Sequence, residues 1–141
     1  MDSIDRAILR ELAKDARLSY RDLAEAVGLS ANAAAERVRR LVASKTVRGF
    51  RIDVDPAAFG LRLSAFVDLR LAPGTPADAF ETALRKVSGV VSAALTTGSF
   101  DYTLRVAVTD EAALVALIES LRARGATETY SRIILRETAF G

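Results

Sequence analysis

The 141-residue chain has no cysteine, no histidine and no tryptophan, and only one methionine. Without cysteine there is no disulfide framework, no thiolate nucleophile and no iron–sulfur or cysteine-type zinc site. Without histidine there is no imidazole general base, no ordinary catalytic triad and no imidazole-ligated metal. No metal and no cofactor are expected. No apolar run approaches the ~18–20 residues of a membrane span. The N-terminus, Met1-Asp2-Ser3-Ile4-Asp5, is acidic and lacks the basic-then-apolar plan of a signal peptide. These features predict a soluble cytoplasmic protein with no membrane partner. What is present is half hydrophobic and about a quarter charged, the composition of an ordered globular chain. The pI near 9.3 overstates a net charge of only +2, because without histidine the charge curve is flat between the carboxylates and lysine.

The position of the charge matters more than its sum. Residues 1–29 are close to neutral, and residues 61–141 carry nine charges of each sign. Between them, residues 30–51 hold Arg37, Arg39, Arg40, Lys45, Arg48 and Arg51 against Glu36 alone, a net of +5. A basic stripe in a near-neutral chain is an electrostatic footprint for a polyanion, although an Arg-rich helix can also be a merely solvated face.

The elements around that stripe decide between the two. Ile4, Ile8, Leu9 and Leu12 predict a helix over about 3–15, capped by Asp2 or Ser3. Ser19 caps a second helix over Tyr20–Val27, closed by Gly28. Ser30 caps a third, running to about Ser44, with an inner stripe of Ala34, Val38, Leu41 and Val42. Its opposite face presents Asn32, Ala33, Glu36, Arg39 and Arg40, with Arg37 on the flank. Two helices joined by a glycine turn, the second basic outside and small at its start, form a helix-turn-helix plan. The candidate DNA-contacting residues are Ser19, Arg21, Ser30, Asn32, Ala33, Glu36, Arg37, Arg39 and Arg40. Val47–Val54 alternates and is β-branched, which predicts a strand serving as a wing or linker.

The remainder reads as a repeated strand–helix–strand. Arg62–Leu71 is a first strand with Leu63, Ala65, Val67, Leu69 and Leu71 inward and Ser64, Phe66, Asp68 and Arg70 outward. A helix over about 76–88 follows, with Pro76 suited to its first position, then a strand over Val90–Thr97. Tyr102–Val108 is the third strand, a helix capped by Asp110 spans about 110–123, and Glu128–Thr138 is the last strand. The fold class is therefore α+β: a winged-helix-like helix-turn-helix domain (1–46), a strand and linker (47–60), and a ferredoxin-like βαββαβ domain (61–141). A sheet with both helices on one face leaves its other face bare. That face, including Phe66, predicts a homodimer, which would also set two recognition helices on adjacent half-sites.

The ordered elements Asp5, Ile8-Leu9, Leu12, Arg17-Leu18-Ser19, Asp22-Leu23-Ala24, Val27-Gly28-Leu29-Ser30, Arg37-Val38, Leu41, Val47 and Gly49-Phe50 carry a resemblance. With the Asp55-Pro56 to Gly60 join and Thr97-Gly98-Ser99-Phe100-Asp101-Tyr102, the chain resembles the Lrp/AsnC, or feast/famine, family of prokaryotic transcriptional regulators over nearly its whole length. The resemblance implies double-stranded DNA as partner, dimers often assembled into octamers, and a small-molecule effector, commonly an amino acid, bound between dimers. Two departures stand out. Lys45 replaces the usual glycine after the third helix, at a cost on the order of 1 kcal/mol if left-handed. Ala31-Asn32-Ala33-Ala34-Ala35 offers few base-reading side chains, so hydrogen bonding there rests on Ser30 and Asn32, with Glu36 facing a cytosine amino group and Arg37 a guanine or phosphate. DNA shape then shares the specificity.

For the effector, backbone amides of Gly98, Ser99 and Phe100 make a carboxylate cradle, and Asp101 is placed to pair with an ammonium. The same four residues also make an ordinary hairpin connection. By resemblance, Thr97, Tyr102, Thr127, Thr129 and Ser131 line the rest. The leading expectation is a sequence-specific DNA-binding regulator responsive to such an effector. The alternative is an oligomeric sensing module with weak or no DNA binding. An enzyme is not expected: tetrapyrrole-processing relatives use histidine, which is absent, and no phosphate loop or carboxylate pair takes its place.

Overall fold

The computed structural model describes residues 1–138. The chain divides into a helical unit, Met1–Asp53, and a sheet unit that begins at Val54, a boundary inside the 47–60 join. The last residues of the second domain, 139–141, lie outside the described residues.

In the helical unit, α1 spans Ser3–Lys14, α2 Tyr20–Val27 and α3 Ala31–Ala43. Each start is set by a side chain that accepts from an otherwise unpaired amide. Asp2 accepts from the Asp5 amide at 2.8 Å while Asp5 accepts from the Asp2 amide at 3.0 Å, a reciprocal capping box. Ser19 and Ser30 accept from the Asp22 and Ala33 amides. Gly28 closes α2 at φ 71°, ψ 38°, a left-handed conformation that turns the chain into α3. Ile8, Leu23, Ala24, Ala34, Val38 and Leu41 form the buried core. Val42, at the end of the expected stripe, is 40% exposed, whereas Ala35, two turns earlier on the same flank, is buried. Lys45 occupies the left-handed position after α3 at φ 60°, with its amide bonded to the Val42 carbonyl.

The strand expected over Val47–Val54 is not formed. The segment carries no ladder, and Phe50 and Ile52 are 52% and 83% exposed. A strand is held by hydrogen bonds to a neighbour, and among the described residues the helical unit contains no other strand. Asp55 instead caps a short 3-10 turn, Pro56–Phe59, by accepting from the Ala57 amide.

The sheet unit follows the order β1 (Leu63–Leu71), α4 (Ala77–Leu84), β2 (Val90–Leu95), β3 (Tyr102–Val108), α5 (Glu111–Arg122), β4 (Ala126–Ile133). The sheet is antiparallel with spatial order β2-β3-β1-β4, the ferredoxin-like arrangement. Ala65, Val67 and Leu69 pair with Val106, Leu104 and Tyr102, and these six side chains pack on Phe80 and Leu84 of α4 and on Leu114, Leu117 and Leu121 of α5. Three elements differ from the periodicity at their boundaries. The last expected turn of α4, residues 85–88, is replaced by a non-helical segment that leads to Gly89, and Pro76 stands at the N-cap rather than the first helical position. β2 stops at Leu95, and β4 is displaced toward the N-terminus because Ala126 pairs with Leu71 across a bulge. Gly89 is required by space as well as by its φ of 91°. A Cβ there would lie 3.0 Å from Leu117 Cδ1 and 3.1 Å from the Ala107 carbonyl oxygen.

Candidate nucleic-acid interface and effector turn

The outer face of α3 carries Asn32, Glu36, Arg39 and Arg40 exposed, with Ala33 half-buried beside them, as the helical spacing predicts. The structure separates these side chains by what they already bind. Arg39 places Nη2 2.8 Å and Nε 3.3 Å from one oxygen of Glu36, so the two charges offset each other. Arg39 holds the Glu36 carboxyl below its usual range. Ser30 and Ser19 are turned onto their own helices, and the Ser19 hydroxyl also donates to Asp22 at 2.6 Å. Arg21 is exposed on α2.

Arg37, expected to contact a guanine or a phosphate, is paired within the protein. Its Nη1 lies 2.6 Å from Asp2 and 2.8 Å from Asp5, and its side chain is 21% exposed. The guanidinium thus ties α3 to the capping box of α1. The Asp2 carboxyl is lowered to about 2 by the Asp5 amide and then by Arg37. Asp5 is lowered chiefly by Arg37, whose own value the two carboxylates raise. Asp2 was one of two cap candidates in the sequence. Its pairing with a residue more than thirty positions away was not visible there.

With Arg37 and Arg39 so engaged, the excess positive charge rests on Arg40, Lys45, Arg48 and Arg51. All four are exposed and without an ion pair among the described residues. The footprint therefore extends from the end of α3 into the segment after it.

The second candidate site lies in the connection from β2 to β3. Gly98 has φ 111°, and the amides of Gly98, Ser99 and Phe100 meet no acceptor among the described residues. That leaves them free to form the expected cradle. Asp101 is partly committed: its amide donates to the Leu69 carbonyl and its Oδ2 accepts from the Leu71 amide at 2.8 Å, leaving Oδ1. Arg70, not singled out from the sequence, donates from Nε to the Ser99 carbonyl at 3.1 Å and fixes the turn. Phe100 stacks on Tyr130 with ring centroids 6.5 Å apart. Thr97 and Ser99 are exposed.

Three of the lining residues inferred from resemblance are not brought to this turn. Tyr102 is fully buried on the helix side of the sheet, packs on Phe80, and donates from its hydroxyl to Glu81 at 2.8 Å. Burial, then Glu81, pushes its hydroxyl up to about 12. Thr129 and Ser131 pair with Leu69 and Val67 and so face the helices, where Arg122 donates to Thr129. Strand alternation puts them on the opposite side from Tyr130. Thr127 does adjoin the site, donating to the Arg70 carbonyl at 3.2 Å.

The face of the sheet away from the helices holds one buried charge. Asp68, 8% exposed, accepts from Thr103 at 2.6 Å and Arg132 at 2.7 Å, and the Arg132 guanidinium lies 5.7 Å from the Phe66 ring centre. Two donors offset the cost of burying that carboxylate.

Comparison with known proteins follows the same two-part division. Residues 1–42 match the AsnC-type helix-turn-helix domain, and residues 64–140 match the Lrp/AsnC ligand binding domain. The chain is 37% identical to the leucine-responsive regulatory protein of Escherichia coli K12, over 97% of this chain and 86% of that one. Among solved structures it resembles a feast or famine regulatory protein of Mycobacterium tuberculosis complexed with L-methionine, at 35% identity and a TM-score of 0.92, over 99% of this chain and 95% of that one. A transcriptional regulator of Neisseria meningitidis in complex with L-methionine aligns at 28% identity and a TM-score of 0.90, over 99% and 93% of the two chains.

Proposed function

The chain belongs to the Lrp/AsnC family, a family of transcriptional regulators and not of enzymes, and on that premise we propose that it binds double-stranded DNA through α3 and responds to an amino acid at the 97–101 turn. The observation that carries the DNA half is the row of exposed cations Arg40, Lys45, Arg48 and Arg51 at the end of the second helix of a helix-turn-helix. Four phosphate contacts per protomer contribute about −3.6 to the slope of log affinity against log salt, for each half-site bound. Gel shift against the DNA upstream of its own gene is expected to show that dependence, and Arg40→Ala to make the slope shallower by about 0.9 for each protomer bound. Binding indifferent to salt, or none, rejects the reading. Cytoplasmic action goes with this role, and among the described residues no helix is long and apolar enough to cross a membrane.

The effector half rests on the free amides of Gly98, Ser99 and Phe100, on Oδ1 of Asp101, and on the L-methionine held by two similar proteins. A homodimer, assembling toward an octamer, is proposed with it: a second copy covers the mixed face around Phe66, Asp68 and Arg132. A thermal-shift panel of the twenty amino acids, with particle mass measured in parallel, tests both. One or a few amino acids should raise the Tm. Asp101→Asn keeps an acceptor for the Leu71 amide but removes the charge, so it should abolish the shift while leaving the unliganded Tm near wild type. A monomeric mass throughout removes the assembly, and an unchanged response in Asp101→Asn removes the carboxylate from the site.

A further inference from the structure

The pairing of side chains on α3 narrows which residue reads bases. In a helix-turn-helix, base edges meet the N-terminal part of the second helix. On that part of α3 the Ser30 hydroxyl caps its own helix, Arg37 is drawn onto Asp2 and Asp5, and Glu36 and Arg39 occupy each other. Arg40 stands eight residues beyond Asn32, about 12 Å along the axis, where the helix meets the phosphate wall of the groove. Asn32 remains: exposed, in the first turn, and without a hydrogen bond among the described residues. Ala31 and Ala33 flank it in sequence, so no long side chain crowds it in the first turn, and Glu36, one turn on along the same face, is held by Arg39.

We propose that Asn32 is the specificity-determining residue of this regulator and that it selects one adenine in each half-site; the proposal rests on the DNA-binding reading above. The amide presents one donor and one acceptor side by side. Adenine offers their complement in the major groove, N7 as acceptor and the N6 amino group as donor. Guanine offers two acceptors, so the amide oxygen would face O6 unpaired. Cytosine offers only a donor, and thymine only an acceptor beside its methyl group. Adenine alone satisfies both ends of the side chain.

The test uses full-length protein and a randomised double-stranded DNA library. Wild type is expected to enrich sites with one invariant adenine per half-site, and Asn32→Ala to lose the preference at that position alone. Replacing that adenine with 7-deazaadenine, which lacks the N7 acceptor, should weaken wild-type binding about 5- to 100-fold and leave Asn32→Ala unaffected. Alanine favours helix, so the variant should keep the wild-type circular dichroism spectrum. Identical base preferences in the two proteins, or wild-type indifference to 7-deazaadenine, overturns the assignment while DNA binding stands. Failure of wild type to retain any DNA in an Arg40-dependent manner overturns both.

Discussion

Individual residues decide more here than their types announce. Lys45 sits at φ 60° where a glycine would be unstrained, and its amide still closes the end of α3 on Val42. A side chain in that conformation costs about 1 kcal/mol or more. Lys45→Gly relieves it but frees the unfolded chain, at about 0.4–1 kcal/mol, so a net gain of about 0.5 kcal/mol is expected in denaturant unfolding. The same substitution removes one of the four exposed cations, so DNA affinity should fall as stability rises. The absence of the expected glycine was legible in the sequence; that the helix nonetheless ends in the left-handed manner was not. Tyr102 shows the converse. Its place in a Gly-Ser-Phe-Asp-Tyr run drew it toward a ligand, but strand alternation turns it inward, opposite Leu69 and onto Glu81.

At the scale of elements, the ties between helices carry the surprise. The capping box of α1 is also an anion clamp for α3 through Arg37. Its carboxylates titrate low in the folded state, Asp2 at about 2 against an ordinary 3.8. Carboxylates with lowered values stabilise fully above about 3.8, and that stability is lost as pH falls toward 2. Arg37→Ala should therefore lower the Tm at neutral pH, and its deficit against wild type should shrink as pH is taken from 4 to 2. A deficit independent of pH would mean that Arg37 contributes by packing alone. Helix caps and glycine stops were readable because they are local chemistry within three or four residues. The wing was misread because alternation describes a strand's side chains but not the neighbour it needs, and among the described residues the helical unit has none.

Across the whole molecule, a net charge of +2 conceals a neutral sheet unit and one basic window. Folding refines that window further. Arg37 goes to α1 and Arg39 to its neighbour on α3, and the cations left unpaired among the described residues lie at the end of the helix and in the segment beyond it. The salt dependence expected under the proposed DNA-binding role, and its Arg40 component, rest on that remainder rather than on the +5 counted along the chain. The sequence by itself determined the two domains, the helix-turn-helix, the βαββαβ order and the exclusion of imidazole and thiol chemistry, because periodicity, caps and missing residue types are properties of short stretches. Only the tertiary structure decided which arginines stay unpaired among the described residues, that Arg70 holds the 97–101 turn, and that Tyr102, Thr129 and Ser131 face the helices. Those outcomes depend on the register of strands and on charges brought together from distant positions, which no local pattern encodes.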